Sequence, residues 1–159
     1  MGRVAPGCEI SLREVEAADL ELFHEYQLDP EAARMADFPQ RDREPYMALW
    51  GRILANETII KRTILLDGSV AGNIVSFRED DGRREVGYWL GRPYWGKGIA
   101  TRALAIFLDL VTDRPLCAEV SIDNPASLRV LQKNGFTIIE RRDDYYLLEL
   151  PDGQRVNTA

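Results

Sequence analysis

Residues 91–101 read GRPYWGKGIAT, a glycine-rich loop between a β-rich run, REVGYWL, and IATRALAIFLDLV, a helical pattern apolar on most faces. Strand, glycine loop and buried helix in succession gather backbone amides at a helix N-terminus, the one place in the chain where backbone physics alone leads an anion site to be expected. Two phosphate cradles come close and fail. Gly91, Gly96 and Lys97 match most of G-x-x-x-x-G-K-[ST]. However, Gly98 stands where a Ser or Thr hydroxyl must reach magnesium, and Pro93 with two aromatics crowds the loop. Gly96-x-Gly98, with Glu119 about twenty residues on, imitates a dinucleotide fingerprint. There Thr101 takes the third glycine position, and the strand in front belongs to an antiparallel meander instead of a parallel array.

That meander is TIIKRTILL, SVAGNIVSF and REVGYWL, β-branched or aromatic runs separated by Asp67-Gly68 and by Asp80-Asp81-Gly82. Earlier, Ile10 and Leu12 alternate in a first strand, and Leu20, Phe23 and Tyr26 recur at helical spacing before Pro30. DFPQRDRE reads as a surface loop, followed by an amphipathic helix between Pro45 and Asn56 that carries Tyr46, Leu49, Trp50 and Ile53. After the loop helix come the strand LCAEVSI and the helix NPASLRVLQKNG, with Asn124 as N-cap, Pro125 at the first helical position and Asn134-Gly135 as the stop. Phe136–Arg141 and Tyr145–Leu150 finish as a hairpin. No internal repeat or compositional break interrupts the order, so residues 1–159 are expected to form one mixed α/β domain.

Composition narrows the partners. Apolar residues are 45% and charged ones 29% of the chain, the balance of a soluble globular protein, and no apolar run approaches the length of a membrane span. The opening MGRVAPGCEI lacks an apolar signal-like run, so the expected location is cytoplasmic. A net charge of −6 without a basic block opposes nucleic-acid binding and suits a cationic small substrate or a basic peptide. Cys8 and Cys117 lack CxxC spacing and have only His24 to join them, so no metal site or disulfide framework is expected.

The segment GYWLGRPYWGKGIATRAL, followed some twenty residues later by SIDNPASLRVLQKNGF, resembles the acetyl-CoA segment of the GNAT acetyltransferases, most of all their RimJ/RimL-like N-acetyltransferase branch. The resemblance implies a largely antiparallel central sheet with splayed middle strands, flanked by helices. It implies acetyl-CoA as cosubstrate, no metal, and direct attack by an acceptor's primary amine in a ternary complex. In this reading the backbone of Gly96, Lys97, Gly98, Ile99, Ala100 and Thr101 cradles the pyrophosphate. Trp89 and Leu90 pair with the pantetheine arm, and Asn124 contacts it. Trp95 stands where the wider superfamily has Arg or Gln; it matches the branch and leaves the pyrophosphate mainly to amides.

Acetyl transfer needs a neutral amine, a polarised carbonyl and a proton for the departing thiolate. Glu85 resembles the general-base glutamate of several members; a solvated glutamate near a hairpin is the alternative. Ser127 resembles the residue that protonates the thiolate, although Asn124 capping its amide would explain both residues structurally. Leu131 stands where many members carry a tyrosine acid. His24, Tyr46, Trp50 and Phe38 sit on or near the early helices, which line the acceptor groove in such folds, but ordinary packing also explains them. A noncatalytic acyl-CoA-binding module and a nicotinamide-dependent oxidoreductase are the competing classes. The acceptor, a small molecule or a protein N-terminus, and a homodimer stay open.

Overall fold

The computed structural model describes residues 8–36 and 39–152. Its strands are β1 (Ile10–Arg13), β2 (Ile60–Leu66), β3 (Ser69–Arg78), β4 (Arg84–Leu90), β5 (Leu116–Ser121), β6 (Thr137–Arg141) and β7 (Tyr145–Leu150). They form one sheet in the order β1-β2-β3-β4-β5-β7-β6. Every neighbouring pair is antiparallel except β4 and β5. The β2–β3 turn works as its sequence demands: Asp67 and Gly68 both have positive φ, 50° and 84°, which suits the right-handed twist of a tight hairpin.

Among the described residues, five α-helices cover the sheet: α1 (Asp19–Gln27), α2 (Pro30–Ala36), α3 (Arg43–Ala55), α4 (Ile99–Phe107) and α5 (Pro125–Lys133). On one face, Ile99, Ala103, Leu104 and Phe107 of α4 bury against Ile64, Ile74, Val86, Leu116 and Leu148, with Leu131 of α5 completing the layer. On the other, Leu20 and Phe23 of α1 meet Tyr46 and Trp50 of α3 over Val70 and Val75, with the Phe23 and Trp50 rings 5.1 Å apart. Tyr46 and Trp50 are therefore core residues. Phe38 lies outside the described residues.

Two boundaries differ from the sequence reading. Pro30 opens α2 instead of ending the helical region. The Asp29 carboxylate accepts the Glu31 amide at 3.0 Å, and proline suits a first helical position because it lacks the amide that would go unpaired there. Helix α4 stops at Phe107, and Leu108–Leu110 follow as turns whose amides bond back to Leu104, Ile106 and Phe107. Val111, beyond these turns, is still buried.

A buried ion pair ties the first strands to α1. Asp19, 3% exposed, accepts from Arg13 at 2.7 and 2.9 Å, from the Thr63 hydroxyl at 2.7 Å and from the Glu16 amide at 2.9 Å. Burial pushes this carboxyl up, but these donors outweigh it and hold it at about 2. Its stabilising effect is present above the unfolded-state value and fades as pH falls toward 2. Asp19→Asn should cost about 2 kcal/mol at neutral pH. In acid-titrated melts, its gap from wild type should close below about pH 4.

Candidate active site

Strands β4 and β5 are in register only at Arg84–Leu116 and Glu85–Cys117, whereas β4 pairs with β3 along its whole length. Beyond Glu85 the two parallel strands part. A cavity of about 460 Å³ opens in the gap, a volume typical of a small-molecule site. Tyr88, Trp89 and Leu90 line it from β4, Asn124, Ser127 and Val130 from α5, and Ala32, Met35 and Ala36 from α2. The remaining wall is the glycine loop with the first turn of α4, from Trp95 to Thr101 but without the exposed Lys97.

The loop adopts its shape through Gly96 and Gly98, at φ 72° and 76°, a left-handed region that costs a side-chain-bearing residue about 1–2 kcal/mol. Among the described residues, the backbone amides of Gly96, Lys97, Gly98, Ile99, Ala100 and Thr101 donate no hydrogen bond. Six consecutive unpaired donors at a helix N-terminus make a positive concavity that an anion would satisfy. Two indoles brace the surroundings. Trp95 donates to the Leu90 carbonyl at 3.1 Å, tying the loop to the end of β4, and Trp89 donates to the Tyr26 carbonyl at 3.2 Å. Arg92 pairs with Asp29 at 2.6 Å, so the loop also holds the α1–α2 junction.

On α5, Asn124 accepts the Ser127 amide at 3.2 Å, the expected cap. The Ser127 hydroxyl accepts from Tyr88 across the cavity at 3.0 Å. Three further residues belong to the site that the sequence reading did not assign to it, one of them, Asn134, read only as a helix stop. Asn134, 1% exposed, donates to the carbonyls of Thr101 and Val130 at 3.2 and 3.0 Å and so locks α5 to the first turn of α4. Arg129 and Lys133, one helical turn apart on α5, add positive charge to the lining. Their spacing in the sequence held that signal. Leu131 is core.

Glu85 lies outside the cavity lining. Strand alternation turns it away from Val86 and Leu90, toward the α1–α3 side, about 13 Å along the strand from Trp89. It is 4% exposed. One carboxylate oxygen makes no hydrogen bond among the described residues and has only Arg83 at 3.7 Å. Burial, followed by the charges of Glu119 and Glu79, pushes its carboxyl up to about 7 against the pull of Arg83. His24 takes no part in the cavity: it is buried beside Tyr46 and shares a hydrogen bond with the Arg41 carbonyl.

A model of the acetyltransferase (GNAT) domain matches residues 9–137. The chain belongs to the GNAT acetyltransferase family. It is 28% identical over 141 residues to an uncharacterized N-acetyltransferase, p20, of Bacillus licheniformis, covering 80% of this chain and 78% of that protein. It is 34% identical over 102 residues to a putative ribosomal N-acetyltransferase, YdaF, of Bacillus subtilis, covering 59% and 55%. Among solved structures, the spermidine N-acetyltransferase of Vibrio cholerae, in complex with CoA and spermine, superposes at a TM-score of 0.80 with 14% identity, covering 93% of this chain and 98% of that one. The family fold agrees with the mixed α/β, mostly antiparallel sheet described above.

A second cavity, of about 410 Å³, contains Arg78, Arg83, Arg84 and Arg114. Asp113 already binds Arg78 and Arg84 at 2.7 and 3.0 Å, and Asp81 binds Arg83 at 2.8 Å, so much of that charge is neutralised within the chain. The raised Glu85 carboxyl has a measurable consequence. Because the folded state keeps this proton longer than the unfolded chain, Glu85 lowers stability as pH rises from about 4.5 through 7. Melting curves of Glu85→Gln at pH 5 and pH 8 should show the variant gaining on wild type at the higher pH.

Proposed function

We propose that this chain moves an acetyl group from acetyl-CoA to a primary amine by direct attack in a ternary complex. The carrying observation is the row of unpaired amides at residues 96–101, in a loop that lines a cavity between splayed strands. The pyrophosphate fits that row without a metal, with Arg129 and Lys133 supplying further charge for the phosphates. The pantetheine arm then runs along the parted edge of β4 at Trp89 and Leu90 and meets Asn124. The CoA held by the spermidine N-acetyltransferase, whose fold is shared, supports this reading.

The amine nitrogen attacks the thioester carbonyl carbon, and the C=O electrons move onto oxygen, which a backbone amide of β4 stabilises. Collapse breaks the C–S bond, and its electron pair leaves with sulfur. The nitrogen gives up a proton and the sulfur gains one, so amide and free thiol form with nothing else consumed. An acceptor that arrives as an ammonium loses one proton before it attacks; Glu85, reached through water, takes that proton and passes it to solvent, and a carboxyl near 7 suits the task at neutral pH. Ser127 meets the sulfur. Cys117 is not a nucleophile in this scheme, since burial first, and then Glu149, push its thiol up. Residues 1–159 act as one catalytic domain, and the acceptor is a small amine or a protein N-terminus, in keeping with the acidic chain.

Calorimetry should show CoA binding in the absence of metal. Gly98→Ala should weaken that binding at least tenfold while costing only about 1–2 kcal/mol of stability. With acetyl-CoA and a panel of polyamines, aminoglycosides and N-terminal peptides, free thiol should appear with at least one acceptor. In that assay kcat/KM should rise through about pH 7, and Glu85→Gln should abolish the rise. Failure to bind CoA would overturn the reading.

A further inference from the structure

The hydroxyls of Tyr88 and Ser127 come from opposite walls of the cavity, β4 and α5, and meet at 3.0 Å. A phenol is far more acidic than an aliphatic alcohol, so in such a pair Tyr88 is the donor and the serine oxygen the acceptor. Ser127 has a single proton. With its oxygen occupied by Tyr88 and its amide by Asn124, that proton has no other acceptor among the described residues and is left to point into the cavity.

We infer that Tyr88 is a positioning residue that acts through Ser127: it fixes the serine hydroxyl so that its O–H is presented to the sulfur of CoA as the C–S bond breaks. The inference rests on the acetyl-transfer reading above. Tyr88 itself loses no proton in the cycle. As negative charge collects on sulfur, the Ser127 O–H hydrogen-bonds to it, and the Tyr88 hydrogen bond polarises that O–H further. The sulfur's final proton balances the one lost by the amine nitrogen. Burial pushes the Tyr88 phenol up to about 12, even with the opposing hydrogen bond to Ser127, so it stays protonated at neutral pH.

A single variant cannot show that the two hydroxyls act as one unit, so the measurement is a double-mutant cycle. Tyr88→Phe should lower kcat roughly three- to tenfold, the size of one neutral hydrogen bond, with KM for acetyl-CoA nearly unchanged. In a Ser127→Ala background the same change should have no further effect. Calorimetry with two probes gives a readout apart from turnover: each variant should bind CoA less tightly than wild type while binding desulfo-CoA, which lacks the sulfur, equally well. Unchanged kcat in Tyr88→Phe, or the full loss persisting without Ser127, would overturn the inference. Should Tyr88→Phe fail to fold, a fluorotyrosine at position 88 keeps the ring and donates more strongly. Its kcat should then equal or exceed wild type, and a drop would count against the role. A wild type that binds no CoA at all would instead refute the acetyl-transfer reading.

Discussion

The parting of β4 from β5 governs the rest of this molecule. A parallel pair held at two rows and then released leaves strand edges inside a folded protein, and polar backbone cannot be abandoned there without cost. One residue answers part of that cost directly, and two others tie the walls of the opening. Trp95 satisfies the Leu90 carbonyl, the Tyr88 hydroxyl reaches across to Ser127, and Asn124 caps the helix that forms the opposite wall. What these contacts leave open is a groove bounded by backbone, with a row of amides facing it.

The groove keeps its shape because its walls are tied to one another. Asn134 bonds the end of α5 to the first turn of α4, and the Arg92–Asp29 pair bonds the loop to the start of α2. Left-handed glycines at 96 and 98 let the chain turn into α4 with its amides facing outward. Glu85 stands apart, further back along β4, where burial and neighbouring acids raise its carboxyl. One strand thus presents the cavity wall on one stretch and a poised carboxyl on another. Such a division suits two substrates arriving from different sides.

Much of this was legible in the sequence, because local chemistry announced it. Asp67-Gly68 between β-branched runs specified a hairpin, and Asn124-Pro125 specified the start of α5. Gly96 and Gly98 before an apolar helix specified a tight turn, and both glycines take positive φ. Helix α2 was missed because Asp29-Pro30 is punctuation that can end one helix or start another, and here Asp29 accepts the Glu31 amide and is also held by Arg92 from 63 residues away. Asn134 read as a helix stop, yet its amide reaches Thr101, 33 residues away. The Tyr88–Ser127 bond spans 39 residues, and no periodicity or motif carries such a pairing. Burial of Glu85 and its crowding by Glu119 and Glu79 likewise depend on strand order, which composition does not reveal.

An anionic ligand is expected on the amides of the glycine loop between the splayed strands. Backbone amide chemical shifts during titration with CoA test it residue by residue. The largest changes are expected at residues 96–101, with smaller ones at 88–90 and 124–127. Quiet amides in that loop, with changes concentrated instead at Arg78, Arg83, Arg84 and Arg114 around the second cavity, would contradict it.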